Sequence, residues 1–313
     1  MGLTIGVDVG GTKIAAGVVA PDGTVLQESQ AVSPATSSAM IESTIADLVA
    51  ELRKEHEVEG IGVGAAGFID QHRATVMFAP NLAWRDLDLK GDLEKRIGLP
   101  VVVENDANAA AWGEFTFGAA ADSDDLLLVT VGTGVGGGLV LDGQLYRGAF
   151  GVAAEIGHIR IERNGRLCGC GNLGCFEQYG SGSALVRDAR AAASADPESA
   201  EALLVRAGGH IDMITGPMIT EQALAGDAFA VEQLAVLGGW LGEGIATLAA
   251  VLDPGVVAIG GGVSAAGDLL LDPARESYRS QLTGRGHRPE ADFRLAQLGN
   301  KAGLIGAADL ARR

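Results

Sequence analysis

All three cysteines of this chain, Cys168, Cys170 and Cys175, fall within eight residues, and His158 stands ten residues before the first of them. Three thiolates and an imidazole form one of the closed tetrahedral sets that Zn2+ favours. A closed set leaves no position for water, so a metal held there is structural rather than a Lewis acid. The alternative is three buried cysteines beside an unrelated histidine. Gathering every cysteine of 313 residues into one stretch, with Gly169, Gly171 and Gly174 between them, favours the metal. Glu155 precedes His158, and Glu177 follows the last cysteine by two residues. Pinned by a metal, the two carboxylates and the second nitrogen of His158 would form a polyol-binding surface. Unpinned, both glutamates are solvated loop charges.

Three glycine turns end candidate strands: Gly10-Gly11-Thr12-Lys13, Gly132-Thr133-Gly134 and Gly260-Gly261-Gly262. Without Cβ atoms, backbone N–H groups can converge on phosphate oxygens, and Thr12, Thr133 and Lys13 add hydroxyl donors and a charge. One such turn is usually only a turn; three of them point to a nucleotide. Gly132, Gly134 and Gly137 match the dinucleotide fingerprint formally, but a strand rather than a helix follows, so that reading fails. No Walker-type lysine loop occurs. Asp106 follows a strand end, precedes a helix and neighbours Asn105, where a carboxylate can accept a hydroxyl proton. The competing role for Asp106 is a helix N-cap.

The elements that must position these residues read as follows. Leu3–Val9, Ile14–Val19 and Thr24–Gln27 are strands, with a hairpin at Asp22-Gly23, so the chain opens as an antiparallel meander. A helix over 37–56, with Ile41, Ile45, Leu48 and Leu52 on one face, leads to a buried strand over 61–67. The run 76–81 reads as irregular. A short helix over 89–97, a strand over 100–104 and a helix over 107–117 follow. The opening pattern then recurs as strands over 126–131, 135–141 and 144–147, with a hairpin at Asp142-Gly143. Superposing Val9-Gly10 on Val131-Gly132 brings the two hairpins within two residues, which indicates an internal duplication. Helices are expected over 183–194, 197–207, 220–225 and 228–252, and strands over 256–259 and 293–296. Asp272-Pro273 reads as a helix cap and first turn, and a last helix covers 301–311. The domains expected are 1–120, a small α/β domain on which 301–313 packs back, and 121–300, a larger one with the inserted metal motif 158–175.

Composition narrows the class. The net charge of −17, without any Lys/Arg run, argues against nucleic acid and against a polyphosphate groove. The most apolar stretch, Ala228–Leu252, carries Glu232 and Glu243, and its longest charge-free run is ten residues, so no membrane span is expected. No signal-peptide pattern opens the chain. Clustered cysteines, odd in number, suit a reducing compartment, and the expectation is a cytoplasmic protein.

The motifs D-V-G-G-T-K at 8–13, E-N-D-A-N-A at 104–109, V-G-T-G-V-G-G-G at 131–138, E-I-G-H at 155–158, C-G-C-G-N-L-G-C-F-E at 168–177 and I-G-G-G-V at 259–263 occur in one order along the chain. In this set the chain resembles the ROK family of sugar kinases and regulators. The resemblance implies a duplicated actin-like, hexokinase-like (ribonuclease H-like) α/β fold of two domains with the active site in the interdomain cleft. It implies ATP-dependent phosphorylation of a hexose, glucose foremost, at the 6-hydroxyl. Asp106 then matches the catalytic base, and Asn105, Glu155, His158 and Glu177 the sugar ligands, with Gly67 and Asn81 nearby. Asp8, Gly10, Gly11, Thr12, Lys13, Thr133 and Gly134 match the phosphate and Mg2+ region, Gly261 and Gly262 the adenosine loop. His158, Cys168, Cys170 and Cys175 match the zinc ligands. Homodimers or homotetramers are usual in the family. Two alternatives stand beside this reading. One is a kinase for another hexose or N-acetylmannosamine. The other is a sugar-sensing regulator, whose DNA-binding module would precede the first glycine motif, where the strand at Leu3 leaves no room.

Overall fold

The structure, a computed structural model, describes residues 2–313. In chain order its elements begin β1 (Leu3–Val9), β2 (Lys13–Val19), β3 (Val25–Val32), α1 (Ser38–Leu52) and β4 (Val58–Ala65). Three short strands follow, β5 (Phe68–Ile69), β6 (Val76–Phe78) and β7 (Arg85–Leu87), then α2 (Leu89–Ile97), β8 (Val101–Asn105) and α3 (Asp106–Phe117). The later part holds β9 (Leu126–Val131), β10 (Val135–Leu141), β11 (Gln144–Leu145), α4 (Glu177–Gly180), α5 (Gly182–Ala195), α6 (Glu201–Arg206), α7 (Gly216–Leu224) and α8 (Ala228–Leu252). It ends with β12 (Val256–Gly260), α9 (Asp268–Gln281), β13 (Asp292–Leu295) and α10 (Ala302–Leu310).

Two five-stranded sheets repeat one plan. The first has the order β3-β2-β1-β4-β8 and the second β11-β10-β9-β12-β13. In the first, β3, β2 and β1 are antiparallel neighbours, whereas β1–β4 and β4–β8 are parallel. In the second, β10–β11 is antiparallel and β12–β13 parallel. This is the duplicated fold of the actin and hexokinase type. Two compact units result: 1–128 with 137–154 and 297–313, and 129–136 with 155–296.

Strand alternation gives the first sheet two unlike faces. Ile5, Val7, Val9, Ile14, Ala16, Val18, Ile61, Val63, Val101 and Val103 are buried in one core with Ile41, Ile45, Leu48 and Leu52 of α1 and Leu89 and Leu93 of α2. Ser37 caps α1 by accepting from the Met40 N–H, and Asp88 caps α2 through the Gly91 N–H. The alternate residues of β1 are Thr4, Gly6 and Asp8. Thr4 donates its hydroxyl to the Ala308 carbonyl at 2.8 Å. A Cβ on Gly6 or Gly62 would overlap the carbonyl of Leu304 or Ala307, so α10 lies directly on the sheet only because both are glycine. Helix α3 packs against α10, and Trp112 donates to Asp309 at 2.9 Å. The buried carboxylate of Glu114 accepts the N–H groups of Ala119, Gln297 and Leu298, which fixes the chain where it enters the C-terminal helix.

Two expectations need correction. The run 76–81 is not irregular throughout, because Val76–Phe78 pairs with both β5 and β7 in a three-stranded sheet; the strands are too short to show a period. Helix α9 begins at Asp268 rather than at Pro273, which lies inside it. Burial of Leu270 and Leu271 pulls the extra turn into the helix ahead of the proline. Helix α8, 25 residues long, is by length and composition apolar enough to cross a membrane despite its two glutamates. Half of its most apolar window is buried, and it packs against α9, α7, α4 and α5, as a core helix does.

Candidate active site

In the first unit, Asp8 stands one residue from the end of β1, and its register partners across the sheet are Gly64 of β4 and, beyond it, Glu104 of β8. The Gly10–Lys13 turn closes through the Gly10 N–H on the Lys13 carbonyl at 3.0 Å. Asp106 is the first residue of α3, and the cap of that helix is Asn105, whose side-chain oxygen accepts the Asn108 N–H at 3.0 Å. Asp106 is therefore not needed as the N-cap. Asn105 also donates from its side chain to the Gly67 carbonyl at 3.1 Å, which joins two predicted sugar residues. Asn81 is exposed on the loop between β6 and β7, and a Cβ on Gly11 would touch it in ordinary contact at 3.5 Å.

Asp8 and Asp106 lie close enough to sense one another. Burial first and the Asp106 carboxylate second lift the pKa of Asp8 from 3.8 to about 6, with Lys13 pulling it back. Burial raises Asp106 above the ordinary carboxylate value, opposed by the Ala107 N–H that its own oxygen accepts at 2.9 Å. Desolvation of this kind makes a carboxylate a better proton acceptor.

In the second unit, the Gly132 N–H closes on the Gly134 carbonyl at 3.0 Å, and the Gly132 carbonyl accepts the Gly182 N–H at 2.8 Å. A Cβ on Gly134 would overlap the Glu177 carboxylate, so this turn and a predicted sugar residue are in contact. Gly261 takes φ of +85°, and a Cβ there would lie 2.5 Å from the Val131 carbonyl oxygen. The turns after β9 and β12 thus lie side by side. Glu155 is exposed and directly precedes a short 3-10 turn, Ile156–His158; its carbonyl accepts the His158 N–H at 3.0 Å.

The ligating atoms of His158, Cys168, Cys170 and Cys175 all lie within 4.8 Å of one another. The His158 Nδ1 to Cys168 Sγ and the Cys170 Sγ to Cys175 Sγ separations are both 3.6 Å. Tetrahedral Zn2+ with bonds of about 2.3 Å requires sulfur–sulfur edges of about 3.8 Å, so the donors fit zinc in type, number and spacing. Burial pushes the Cys175 thiol up to about 12 and raises Cys168 as well, whereas the Asn172 N–H lowers Cys170. The Cys168 sulfur is 3.6 Å from Glu177 Oε1 and also 3.6 Å from Nδ1 of His158, which leaves Nε2 as the ring nitrogen for a partner outside the metal set. The cluster therefore touches Glu177 directly and orients the ring that also follows Glu155.

Two arginines escaped the sequence reading. Arg73 and Arg147 converge on the buried Glu104 carboxylate, at 3.0 and 2.7 Å. Glu104 lies inside a motif, but residues 73 and 147 are far apart in the chain and carry no motif. Among the described residues, the predicted positions fall into two groups, one per unit. Asp8, the Gly10–Lys13 turn, Gly67, Asn81, Asn105 and Asp106 are in the first. Thr133, Gly134, Glu155, His158, the cysteines, Glu177, Gly261 and Gly262 are in the second.

The ROK family profile matches residues 4–313. The chain belongs to the ROK family. It is 53% identical over 312 residues to a glucokinase of Streptomyces coelicolor, covering 100% of this chain and 98% of that one. A glucokinase of Halalkalibacterium halodurans is 39% identical over 316 residues, covering 99% and 94%. Among solved structures, a ROK family glucokinase from Streptomyces griseus in complex with glucose and AMPPNP superposes with a TM-score of 0.90 at 54% identity, covering 99% of both chains.

Proposed function

We propose that this chain transfers the γ-phosphoryl group of ATP to the 6-hydroxyl of glucose, giving glucose 6-phosphate and ADP. The observation that carries the reading is its full-length likeness, at 54% identity, to a glucokinase structure that holds glucose and AMPPNP. Glucose is preferred over an acetamido sugar because a protein described as an N-acetylmannosamine kinase is much more distant, at 27% identity.

In this reading Asp106 is the general base. It accepts the proton of the sugar 6-hydroxyl as that oxygen attacks the γ-phosphorus in line, the bond to the bridging oxygen breaks, and ADP leaves. The raised pKa of Asp106 supports this role. Asn105, Glu155, Glu177 and Nε2 of His158 hold the sugar hydroxyls, with Gly67 and Asn81 lining the same ligand. The turns at Gly10–Lys13 and Thr133-Gly134 offer N–H and hydroxyl donors to the phosphates, and Gly261-Gly262 receives the adenosine. Asp8 supplies a carboxylate oxygen suited to Mg2+, which neutralises phosphate charge when bound. Zinc in the Cys₃His set holds the loop that carries Glu155, His158 and Glu177 and supplies no chemistry to the transfer. We further assign the protein to the cytoplasm and to a homo-oligomer; light scattering tests the latter.

A coupled ADP-release assay with MgATP against glucose, mannose, fructose, glucosamine and N-acetylmannosamine tests the function. Turnover on glucose well above the others is the expected result. Faster turnover on another sugar moves the substrate, and none on any sugar overturns the kinase reading.

A further inference from the structure

The geometry points to the buried Arg147–Glu104–Arg73 cluster as a positioning device for the sugar-binding residues; this rests on the proposed hexose-kinase reading. Glu104 has a side chain 1% exposed and directly precedes Asn105 and Asp106. A buried carboxylate is costly unless its oxygens are satisfied. Here Oε2 faces the Nε atoms of Arg147 and Arg73, at 2.7 and 3.0 Å. Oε1 accepts the Asn105 N–H at 2.9 Å and the Asn108 side-chain amide at 3.2 Å. Neither arginine contact is aligned as a hydrogen bond to Oε2, so charge holds both rather than direction.

Two cations and one anion desolvated together are a poor way to gain stability, and well-packed apolar residues often do as well. What the cluster holds is more specific. Arg147 donates from Nη1 to the Gln71 carbonyl at 3.0 Å and from Nη2 to the Asp70 carbonyl at 2.8 Å. The Arg73 carbonyl accepts the Val103 N–H at 3.0 Å, and Arg73 itself is held at a left-handed φ of +56°. The Arg147 carbonyl accepts the Ala153 N–H at 3.1 Å, closing the turn that runs on to Glu155. Three stretches therefore meet at one carboxylate. The first carries Asn105 and Asp106, the second begins at Gly67, and the third leads into Glu155. None of the three charged side chains is a proposed substrate ligand, so their role is positioning rather than catalysis. A lysine at 147 could pair with Glu104 but could not also present a planar fork to two carbonyls.

The test compares Arg147→Lys, Arg147→Met, Glu104→Gln and the Glu104→Gln/Arg147→Met double variant with the wild type, at a temperature where each is folded by circular dichroism. KM for glucose, KM for ATP and kcat come from ADP release, and hydrogen exchange is read on the same samples. Arg147→Met is expected to lose about 100-fold in kcat/KM for glucose, the cost of misplacing a reacting group by about an ångström. KM for ATP should stay within about twofold, since the cluster touches no phosphate turn. Arg147→Lys recovers part of the loss, and the double variant loses no more than Arg147→Met alone, because the pair acts as a unit. Residues 69–73, 104–108 and 147–155 lose exchange protection together. Unchanged glucose kinetics in folded variants, or an equal rise in both KM values, overturns the proposal. If the wild type turns over another hexose, that sugar replaces glucose in the comparison. A wild type inactive on every sugar refutes the function instead, and the exchange pattern then decides the cluster alone: protection lost in only one stretch overturns it. Should Arg147→Met fail to fold, Arg147→Lys carries the same comparison.

Discussion

Replacing Asp8 by asparagine should stabilise the protein while disabling it. Asp8 is the only residue on the Thr4-Gly6-Asp8 face of β1 that brings a charge beneath α10, and its pKa rises from 3.8 to about 6. A carboxylate whose folded pKa is raised stabilises the fold fully below the unfolded value and loses that contribution as pH climbs through the folded one. At pH 8 the native state therefore carries an ionised group it would rather protonate. The rise to about 6, at about 1.4 kcal/mol per tenfold change in proton affinity, corresponds to a cost of about 3 kcal/mol. Asp8 is only partly sheltered at its surface, so this is an upper bound. Asparagine keeps the shape and removes the charge. Thermal melts in buffer free of Mg2+ and nucleotide should place Asp8→Asn above the wild type at pH 8, by up to roughly 5 °C. At pH 5 the wild type is largely protonated at Asp8, and the gap should shrink to about half. Turnover with MgATP should fall in the same variant. A variant no more stable than wild type at pH 8, or a gap that widens at pH 5, would refute the electrostatic reasoning.

Three further outcomes follow from the packing and the metal set. Gly62→Ala forces a methyl into the Ala307 carbonyl and should cost about 3 kcal/mol or more in denaturant unfolding. Gly239→Ala, inside α8 where a Cβ meets nothing within 4 Å, should instead gain up to about 1 kcal/mol. Cys170→Ala should lose bound zinc by metal analysis and lose exchange protection across 155–177, and retention of both would remove the metal from the account.

The sequence was most legible where pattern and geometry coincide. The 3.6-residue period of Ile41, Ile45, Leu48 and Leu52 told which face of α1 is core, and the two strand–turn–hairpin runs announced the duplicated sheets. The Cys₃His set was legible because its donors are near in sequence. Less legible were features that depend on distant partners. The short strands around Phe78 have too few residues to show a period. Asp272-Pro273 carries every local sign of a helix start, yet burial of Leu270 and Leu271 begins the helix a turn earlier. Asn105 rather than Asp106 is the cap of α3; both residue types cap well, so only the backbone, extended at Asn105 and helical from Asp106, tells them apart. Arg73 and Arg147 could not be found at all from spacing, since only the fold brings them to Glu104.

The most direct test of the central claim is Asp106→Asn, measured for glucose binding by calorimetry and for ADP release with saturating MgATP and glucose. The account predicts glucose affinity within a few-fold of wild type and a kcat reduced by about 10²–10⁴-fold, the range of a lost general base. Turnover near the wild-type rate with glucose still bound would contradict it, and the proton acceptor would then have to be sought elsewhere.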